Sequence, residues 1–485
     1  MEHSTGPAPS GVVVVANRLP YTIRPAPGGA ELRRAVGGLV TAVEPVLLAE
    51  GGVWIGWGGR TAAPGELPVN LAVPREAPRY RIHEVLLTAA EYRGYYHGFA
   101  NSCLWPLSHL FVGRAVVRAE HWEAYRAVNR RFARAALENA APGRLVWVHD
   151  YHLTLVPAFV REARPDVPIA FFWHIPFPPP EAFLVLPWAR DILAGLLGSD
   201  AIGFHTADYA RNFLRTVRAL PGAEVDEEQG AVLYQGRVIR VQVLPIGVDW
   251  DAFDGTARRP AVRRRAEAIR AALGTPHILL GVDRLDYTKG IPERLAAFGA
   301  FLDAHPEYRG KVTFIQVGVP SRSEVPEYQE VRRRVEEAVG RLNGLHGDGW
   351  QVPVRYVVRP FSREELVAHY LAADAALVTP LRDGLNLVAK EYVASRVDGA
   401  GVLVLSPFAG AAAQLPEAVL ANPYEVNDLA AGIFRALAMD PAEKGRRMEA
   451  LRRRVREHDL RWWWDQVRSL LRVGEPGTAT LHAAG

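Results

Sequence analysis

Short, uninterrupted apolar runs recur along the chain, and most are followed by a polar turn and a segment with helical periodicity. A run without alternating polar positions is typical of a parallel strand buried on both faces. The runs are Val12–Ala16, Leu145–Val148, Ile169–Trp173, Ala201–Phe204, His277–Val282, Ala375–Thr379 and Gly401–Leu405, and further strands that include polar residues are predicted at Val312–Val317 and Val354–Val358. Because such strands alternate with helices, the pattern predicts an α/β fold built on doubly wound parallel sheets.

The strand pattern occurs in two similar halves, which an Arg- and Ala-rich helix between Trp250 and Thr275 connects. A chain of 485 residues also exceeds what one hydrophobic core usually serves. We therefore expect two domains, at residues 11–250 and 251–473, with the last helix able to cross back to the first domain. The ends, residues 1–10 and 474–485, are expected to be tails.

The composition is that of an ordinary globular protein with a mild basic excess. The formal charge is +4 and the pI is near 9.1, which suits anionic substrates. The Arg-rich segments Arg258–Arg270 and Arg446–Arg461 are better explained as solvated helix faces than as a nucleic-acid surface. No nucleic-acid partner is expected.

The chain has one cysteine, Cys103, so an internal disulfide and a cysteine-ligated zinc site are excluded. Its neighbours carry no signature of a nucleophile, which favours a buried structural thiol. The polar start, Met1–Ser10, lacks the apolar stretch of a signal peptide, and no apolar run approaches membrane-spanning length. We expect a cytoplasmic protein without membrane contact.

Unusual polar side chains fall where the predicted strands end. They are Arg18, Asp150, His174, His205, Arg284, Arg322 and Asp383. In open parallel sheets, ligands bind at the carboxyl ends of the strands. Because both predicted sheets carry such polar side chains at the carboxyl ends of their strands, we predict an active site in a cleft shared by the two domains.

The segment Arg382–Glu391 follows a predicted strand and leads into a helix. The unpaired N–H groups and the dipole of a helix start attract an anion. Glu391, about two turns inside that helix, can accept hydrogen bonds from paired sugar hydroxyls. The segment therefore predicts a site for the diphosphate and ribose of a sugar nucleotide. Taken alone, it fits an ordinary βα turn with a polar helix face at least as well.

Other cationic side chains divide into two groups. Arg284 and Lys289, together with the helix start at Leu387, suit a diphosphate. Arg18 and Arg322 can bind a second anion at the far side of the cleft. This division predicts two anionic ligands that meet in one site.

The segment Tyr21–Val36 is rich in Pro, Gly and Arg and ends at the pair Gly37–Gly38. A long segment of this kind predicts a mobile loop over a site, with a surface hairpin as the alternative. A phosphate-binding loop of the P-loop type and a strand-linked G-x-G-x-x-G are both absent from the sequence. The run His149–His152 lies on a strand end, where its side chains point in different directions, so no metal site is expected.

Several longer motifs occur in one chain: Ala16–Arg18, Gly37–Leu39, Trp54–Trp57, Leu104–Pro106, His149–His152, His174–Pro178, Arg284–Gly290 and Arg382–Glu391. In this combination the chain resembles the trehalose-6-phosphate synthase family. These are retaining glycosyltransferases with two Rossmann-like domains, the GT-B fold. The resemblance extends from about Val12 to about Trp464.

The resemblance implies roles for individual residues. Its donor-binding residues are Gly37, Gly38, His174, Arg284, Lys289, Phe361, Asp383, Gly384, Asn386, Leu387, Val388 and Glu391. Its acceptor-binding residues are Arg18, Tyr96, Trp105, Asp150 and Arg322. The residues it places closest to the chemistry are Asp150, His174, Arg284, Lys289 and Asp383. It further implies that Glu391 binds the ribose hydroxyls, that the Phe361 backbone lies near the base, and that the Gly37–Gly38 loop closes over the donor.

The implied reaction transfers glucose from UDP-, GDP- or ADP-glucose to glucose 6-phosphate and gives α,α-trehalose 6-phosphate. Retention without a covalent enzyme intermediate is implied as well. No cofactor and no metal are expected, and the partners are small-molecule substrates. The sequence shows no phosphatase motif, so dephosphorylation is assigned to a separate protein. The nucleotide base and the oligomeric state, including a homo-oligomer, stay open.

Other functions fit parts of the pattern. Related synthases with another acceptor, of the glucosylglycerol-phosphate or validoxylamine type, share the framework. A sugar-nucleotide epimerase or a pyridoxal-phosphate phosphorylase uses the same architecture, although Lys289 is better explained by phosphate binding than by a Schiff base. A non-catalytic sugar-phosphate sensor is the remaining alternative, and the full set of polar residues argues against it.

Overall fold

The computed structural model describes residues 11–26, 29–34, 38–62, 65–74, 76–321, 326–348 and 350–472. The chain divides into two compact units. The N-terminal unit runs up to Pro245 and includes the chain again from Trp463 onward. The C-terminal unit is Ile246–Trp462.

The N-terminal unit is built on one ten-stranded sheet. Its strands are β1 (Val12–Arg18), β4 (Gly52–Trp57), β5 (Asn70–Val73), β6 (Tyr80–Glu84), β7 (Val146–His149), β8 (Ile169–Phe172), β9 (Ala201–Phe204), β10 (Ala223–Asp226), β11 (Ala231–Tyr234) and β12 (Arg237–Val243), while β2 (Tyr21–Ala26) and β3 (Gly29–Arg34) form a separate hairpin. The strand order is β10-β11-β12-β9-β8-β7-β1-β4-β6-β5. From β12 to β6 all neighbours are parallel, and antiparallel pairs close both edges.

Helices cover this sheet because their apolar faces need a partner. They are α1 (Gly38–Glu50), α2 (Ala89–Tyr92), α3 (Trp105–Ser108), α4 (Ala119–Asn139), α5 (Val156–Ala163), α6 (Pro180–Phe183), α7 (Ala189–Leu196) and α8 (Ala207–Val217). The residues between α2 and α3, Arg93–Leu104, form a π-helix. Thr206 caps α8 by accepting a hydrogen bond from the backbone N–H of Tyr209.

The C-terminal unit contains a six-stranded, fully parallel sheet. Its strands are β13 (His277–Arg284), β14 (Val312–Val319), β15 (Val354–Val357), β16 (Ala375–Val378), β17 (Val402–Leu405) and β18 (Val419–Leu420). The order β15-β14-β13-β16-β17-β18 is that of a doubly wound nucleotide-binding sheet. The apolar side chains of β13, β16 and β17 are largely buried, as their uninterrupted apolar sequences predict.

Several helices of the C-terminal unit start or end at residues that are typical of helix termini. They are α9 (Trp250–Arg258), α10 (Pro260–Leu273), α11 (Ile291–Ala304), α12 (Pro326–His346), α13 (Arg363–Ala372), α14 (Leu387–Ser395), α15 (Val426–Ala438) and α16 (Pro441–Glu457), and α17 (Leu460–Arg472) follows. Asp249 caps α9, and Gly274 ends α10 in the left-handed conformation. Asp440 and Pro441 open α16.

Two features of the fold differ from the sequence predictions. The unit boundary lies after Pro245, not after residue 250, because the next residues bond to the C-terminal unit: Lys390 Nζ donates to the Ile246 carbonyl at 2.7 Å and the Leu460 N–H donates to the Val248 carbonyl at 3.1 Å. The segment Tyr21–Val36, predicted as a mobile loop, contains the antiparallel pair β2 and β3, which corresponds to the hairpin alternative. The predicted tails, residues 1–10 and 474–485, lie outside the described residues. Within the described ranges, no helix combines the length and the apolar character needed to cross a membrane.

Candidate active site

Each sheet carries its candidate residues beside the point where the strand order reverses. In the N-terminal sheet that point lies between β1 and β7, whose ends carry Arg18 and Asp150. In the C-terminal sheet it lies between β13 and β16, and Arg284 ends β13 while Asp383 follows β16. Ligands of open α/β sheets bind at these switch points, so each unit has a candidate half-site.

Arg18 is exposed at the end of β1 and is oriented by an aromatic group. Its guanidinium carbon lies 4.3 Å from the ring centroid of Trp57, a cation–π contact. A Cβ added at Gly59, whose φ is 87°, would lie 2.6 Å from Arg18 Nη1, so only glycine leaves this space. Trp57 contacts Tyr96 (6.3 Å between centroids), and Tyr96 stacks on His152 at 5.8 Å. This arrangement places a cation beside aromatic faces, which suits an anionic sugar.

Asp150 has the most unusual backbone of the N-terminal half-site, with φ 72° and ψ 164°. This region is essentially reserved for glycine and costs about 1–3 kcal/mol for other residues. Three hydrogen bonds hold Asp150 there. Its N–H donates to the Phe172 carbonyl at 2.7 Å, and its Oδ1 accepts from the N–H groups of Tyr151 at 3.0 Å and His174 at 3.2 Å. The carboxylate is thereby fixed between the ends of β7 and β8.

Trp105 is buried at the start of α3, and its ring lies 5.8 Å from that of Tyr151. Tyr151 in turn packs on His152, with centroids 3.9 Å apart. A continuous row of ring contacts therefore leads from Trp57 beside Arg18 to Trp105. The structure brings together four of the five predicted acceptor residues. The fifth, Arg322, lies outside the described residues.

His174 follows β8 and pairs with a second histidine. Its Nε2 lies 3.0 Å from Nδ1 of His149, the last residue of β7. Burial lowers the pKa of His174 to about 3, and burial next to His174 lowers the pKa of His149 well below its usual value. Both imidazoles are therefore neutral at physiological pH.

In the C-terminal unit, Lys289 and Asp383 form an ion pair. The Lys289 Nζ lies 2.5 Å from Asp383 Oδ2, and Asn386 Nδ2 donates to the same oxygen at 3.1 Å. Lys289 reaches this position because the segment Tyr287–Lys289 is pinned against the end of β16, where the Leu381 N–H donates to the Thr288 carbonyl at 2.8 Å. The ammonium group and the loop after β16 are thus held as one unit.

The buried side chain of Arg294 stabilises the segment that carries Lys289 and the loop that carries Asp383. Arg294 is fully buried and donates from Nη1 to Asp283 Oδ2 at 2.6 Å, from Nε to Thr379 Oγ1 at 2.8 Å, and from Nη2 to the Lys289 carbonyl at 3.2 Å. The three bonds connect β13, β16 and the Lys289 segment. Loss of one partner of such a buried pair is costly, so the network rigidifies the candidate anion site.

The helix after the loop begins at Leu387, as predicted. Asn386 takes the left-handed conformation, with φ 75° and ψ 87°, and forms the N-cap of α14. Asparagine is several-fold enriched in this conformation. Leu387 and Val388, the first residues of the helix, are partly exposed, and the N–H groups of a helix start suit an anion. The backbone approaches closely here, since a Cβ at Gly410 would lie 2.0 Å from the Gly384 carbonyl oxygen.

Glu391 is the fifth residue of α14, so it lies little more than one turn inside the helix and not about two turns as expected. Its Oε2 accepts a hydrogen bond from the Tyr370 hydroxyl at 2.9 Å. Burial raises the pKa of Glu391. The Phe361 ring stacks on His369, with centroids 4.5 Å apart, and Arg359 lies 4.7 Å from the Phe361 centroid.

Some residues of this site were given no role from the sequence. Trp57 and His149 lie in the motifs Trp54–Trp57 and His149–His152, whereas Arg294 and Tyr370 lie in none. All four act through contacts between distant segments. Of the predicted loop pair, Gly38 is the first residue of α1, and Gly37 lies outside the described residues. Among the residues that the structure describes, no group of three or more His, Cys, Asp or Glu could hold a metal ion.

Comparison with known proteins defines the class of this site. Residues 10–472 match the model of glycosyltransferase family 20. A trehalose-6-phosphate synthase of Mycobacterium sp. (strain KMS) is 47% identical over 467 residues, 94% of this chain and 94% of that relative. A UDP-forming α,α-trehalose-phosphate synthase of Burkholderia vietnamiensis matches with TM-score 0.88 and 36% identity over 98% of this chain and 99% of that chain. The corresponding enzyme of Burkholderia xenovorans, in complex with glucose 6-phosphate, matches with TM-score 0.87 and 32% identity over 95% of this chain and 100% of that chain.

The fold is that of a GT-B glycosyltransferase, an enzyme with two doubly wound units. The chain belongs to glycosyltransferase family 20. The resemblance to trehalose-6-phosphate synthases, inferred from the motifs, is therefore confirmed.

Proposed function

We propose that this enzyme transfers glucose from a nucleoside diphosphate glucose to glucose 6-phosphate and forms α,α-trehalose 6-phosphate. The arrangement of charge supports this most directly. The C-terminal unit combines Arg284, Lys289 and the N-terminus of α14 at one sheet edge. The N-terminal unit has the separate Arg18 and Asp150 group. The relatives support the same reaction by their names, and one was solved with glucose 6-phosphate.

In this proposal the C-terminal unit holds the leaving group. Arg284, Lys289 and the N–H groups of Leu387 and Val388 stabilise the negative charge that develops on the departing diphosphate. Glu391 accepts hydrogen bonds from the ribose hydroxyls, and the base lies at the Phe361 backbone. Relatives described as UDP-forming support uridine as that base.

The N-terminal unit binds the acceptor. Arg18 and Arg322 neutralise its phosphate, Tyr96 and Trp105 pack on the sugar, and Asp150 orients its hydroxyls. His174 and Asp383 contact the transferred glucose. The acceptor hydroxyl attacks from the face of the leaving group and gives its proton to a phosphate oxygen, so the configuration is retained and no side chain acts as nucleophile.

The proposed donor site predicts the effect of removing its cations. Replacement of Arg284 or Lys289 by Ala should lower kcat/KM by about 2–4 kcal/mol of transition-state stabilisation, because charge on the leaving group loses a partner. The exposed Arg341 and Lys311 of the same unit provide matched controls, and their Ala variants should retain wild-type turnover. Wild-type turnover in Arg284→Ala and Lys289→Ala would contradict the diphosphate assignment.

Substrate identity is tested by a steady-state panel. UDP-, GDP- and ADP-glucose are combined with glucose 6-phosphate, glycerol 3-phosphate and an aminocyclitol phosphate, and released nucleotide is measured. We expect the highest kcat/KM for UDP-glucose with glucose 6-phosphate. The anomeric coupling constants of the product by proton NMR should show that both anomeric centres of its single glycosidic linkage have the α configuration. Preference for glycerol 3-phosphate or the aminocyclitol phosphate would assign a related synthase instead.

A further inference from the structure

The pair His149–His174 has a hydrogen-bond pattern that decides which ring nitrogen carries each proton. His149 Nδ1 and His174 Nε2 are 3.0 Å apart, and both rings are neutral, so exactly one of the two atoms donates. His149 is fully buried, and its other nitrogen, Nε2, has no hydrogen-bond partner among the described residues.

If His174 donated, Nδ1 of His149 would be the acceptor and His149 would have to carry its proton on Nε2. That would leave a buried N–H group without an acceptor, which proteins avoid more strictly than an unpaired lone pair. The Trp147 ring, with its centroid 4.3 Å from that of His149, offers only a weak N–H···π contact. The arrangement with the lower cost has His149 donating from Nδ1 to Nε2 of His174.

A neutral His174 whose Nε2 accepts must carry its own proton on Nδ1. No hydrogen bond to another described residue occupies that Nδ1, and His174 is partly exposed at the carboxyl edge of the sheet. The backbone N–H of His174 donates to Asp150 Oδ1, so the main chain is held by Asp150 and the ring by His149. The exposed nitrogen of this ring is therefore a fixed hydrogen-bond donor and cannot accept.

We propose that His149 is a positioning residue that holds His174 in the Nδ1–H tautomer, so that His174 donates a hydrogen bond to a substrate hydroxyl oxygen. The identity of the substrate rests on the function proposed above, whereas the tautomer does not. The fixed donor favours a hydroxyl oxygen, which can accept, and disfavours a charged ammonium group at the same position of the sugar. His149 thus contributes to specificity without touching the substrate.

The tautomer is measurable in the wild-type protein with ¹⁵N-labelled histidine. The chain has 15 histidines, so the His174 signals are assigned by their loss in His174→Asn. Two residues serve as internal standards. His109 donates from Nδ1 to the Trp105 carbonyl at 2.8 Å and marks the Nδ1–H form. His83 accepts at Nδ1 from Asn139 Nδ2 at 3.2 Å and marks the Nε2–H form. We expect His174 to match His109, and a match to His83 would overturn the proposal.

Two substitutions at His149 separate positioning from packing. His149→Phe keeps the ring volume but removes the donor, so His174 should shift toward the Nε2–H form and kcat/KM should fall about 10- to 100-fold. His149→Asn places an amide donor near the former Nδ1, and it should keep His174 in the Nδ1–H form with a smaller loss of activity than in His149→Phe. His83→Phe, in the same unit, is the control and should alter neither property.

The outcomes distinguish this proposal from the proposed function. An unchanged His174 tautomer in His149→Phe would overturn the positioning role whatever the activity. Equal activity losses in His149→Phe and His149→Asn would also contradict it, because packing alone would then explain both. If the wild-type protein transferred no glucose, the reaction would be wrong while the tautomer result would still stand.

Discussion

The backbone of Asp150 adopts φ 72° and ψ 164°, a conformation in which a Cβ atom is strained. The Asp150 carboxylate accepts hydrogen bonds from the backbone N–H groups of Tyr151 and His174, which lie just after β7 and β8. Strain of this kind persists only where the surroundings enforce it, and it is frequent at functional sites. The conformation gives a stability prediction that does not depend on the substrate.

Asp150→Gly should be more stable than Asp150→Ala by about 1–3 kcal/mol, because both variants lose the carboxylate but only Ala keeps the strained Cβ. At most other positions Ala is the more stable residue. Urea unfolding, followed in the transition of the N-terminal unit, measures the difference. Equal stability of the two variants, or a more stable Ala variant, would show that the residue is unstrained.

The activity of the same series tests the acceptor site. Asp150→Asn keeps an oxygen that can accept from the N–H groups of Tyr151 and His174, so its stability should stay close to that of the wild type. Its glucosyl transfer should nevertheless fall, since the carboxylate charge is lost. This contrast separates the role of Asp150 in folding from its proposed role in acceptor binding.

At the scale of single elements, α14 contains both residues of the candidate donor site and a buried lysine, Lys390. Lys390, next to Glu391, is 1% exposed, and its Nζ donates to the Ile246 carbonyl at 2.7 Å. Burial lowers the pKa of Lys390 from 10.5 to about 7. Lys390 therefore links α14 to Ile246, the first residue of the C-terminal unit, and burial favours the neutral form of its amine.

This pKa predicts a pH dependence of stability. Between about pH 7 and 10.5 the unfolded chain binds a proton at Lys390 that the folded chain does not, so the free energy of unfolding rises with pH in this window. One such proton gives a slope of about 1.4 kcal/mol per pH unit, or about 2 kcal/mol between pH 7.5 and 9. The Lys390→Met variant should lose this slope, while the control variant Lys311→Met, at an exposed position, should retain it. Parallel curves for wild type and Lys390→Met would contradict the shifted pKa.

Strands such as β7, β16 and β17 were predictable from the sequence because both of their faces are buried, which removes the polar positions from the runs. The placement of Asp150, Arg284 and Asp383 at strand ends follows from these runs, whereas the strand order, and with it the switch points, comes from the structure. The π-helix Arg93–Leu104 was not predictable, since no residue type specifies it and tertiary packing of its aromatic residues decides. Local patterns also could not report the pairing of Lys289 with Asp383, which are 94 residues apart.

At the scale of the whole molecule, the N-terminal unit is assembled from two distant parts of the chain. Trp463, near the start of α17, is fully buried in that unit. Its ring centroid lies 5.2 Å from that of Trp147 and 5.4 Å from that of Phe172, and its Nε1 donates to the Leu244 carbonyl at 3.2 Å. The core under β7 and β8 therefore depends on a residue that follows the entire C-terminal unit.

Trp463→Ala should destabilise the N-terminal unit by about 3–5 kcal/mol, because it leaves a large cavity beside Trp147 and Phe172. Hydrogen exchange resolves the effect by unit, and protection should fall in β7 and β8 while β16 and β17 keep theirs. Trp462→Ala is the matched control, since Trp462 is partly exposed and belongs to the C-terminal unit. Equal losses of protection in both units would contradict this division of the core.

The position of Trp463 also sets the order of events on the ribosome. When β7 and β8 have emerged, the ring that covers Trp147 has not yet been synthesised, because about 290 residues lie between the end of β8 at Phe172 and Trp463. At about 5–20 residues per second, this interval lasts about 15–60 s. During that time the nascent chain exposes an incomplete aromatic surface to which chaperones can bind. The C-terminal unit, whose sequence is continuous, can complete its fold before the unit that precedes it.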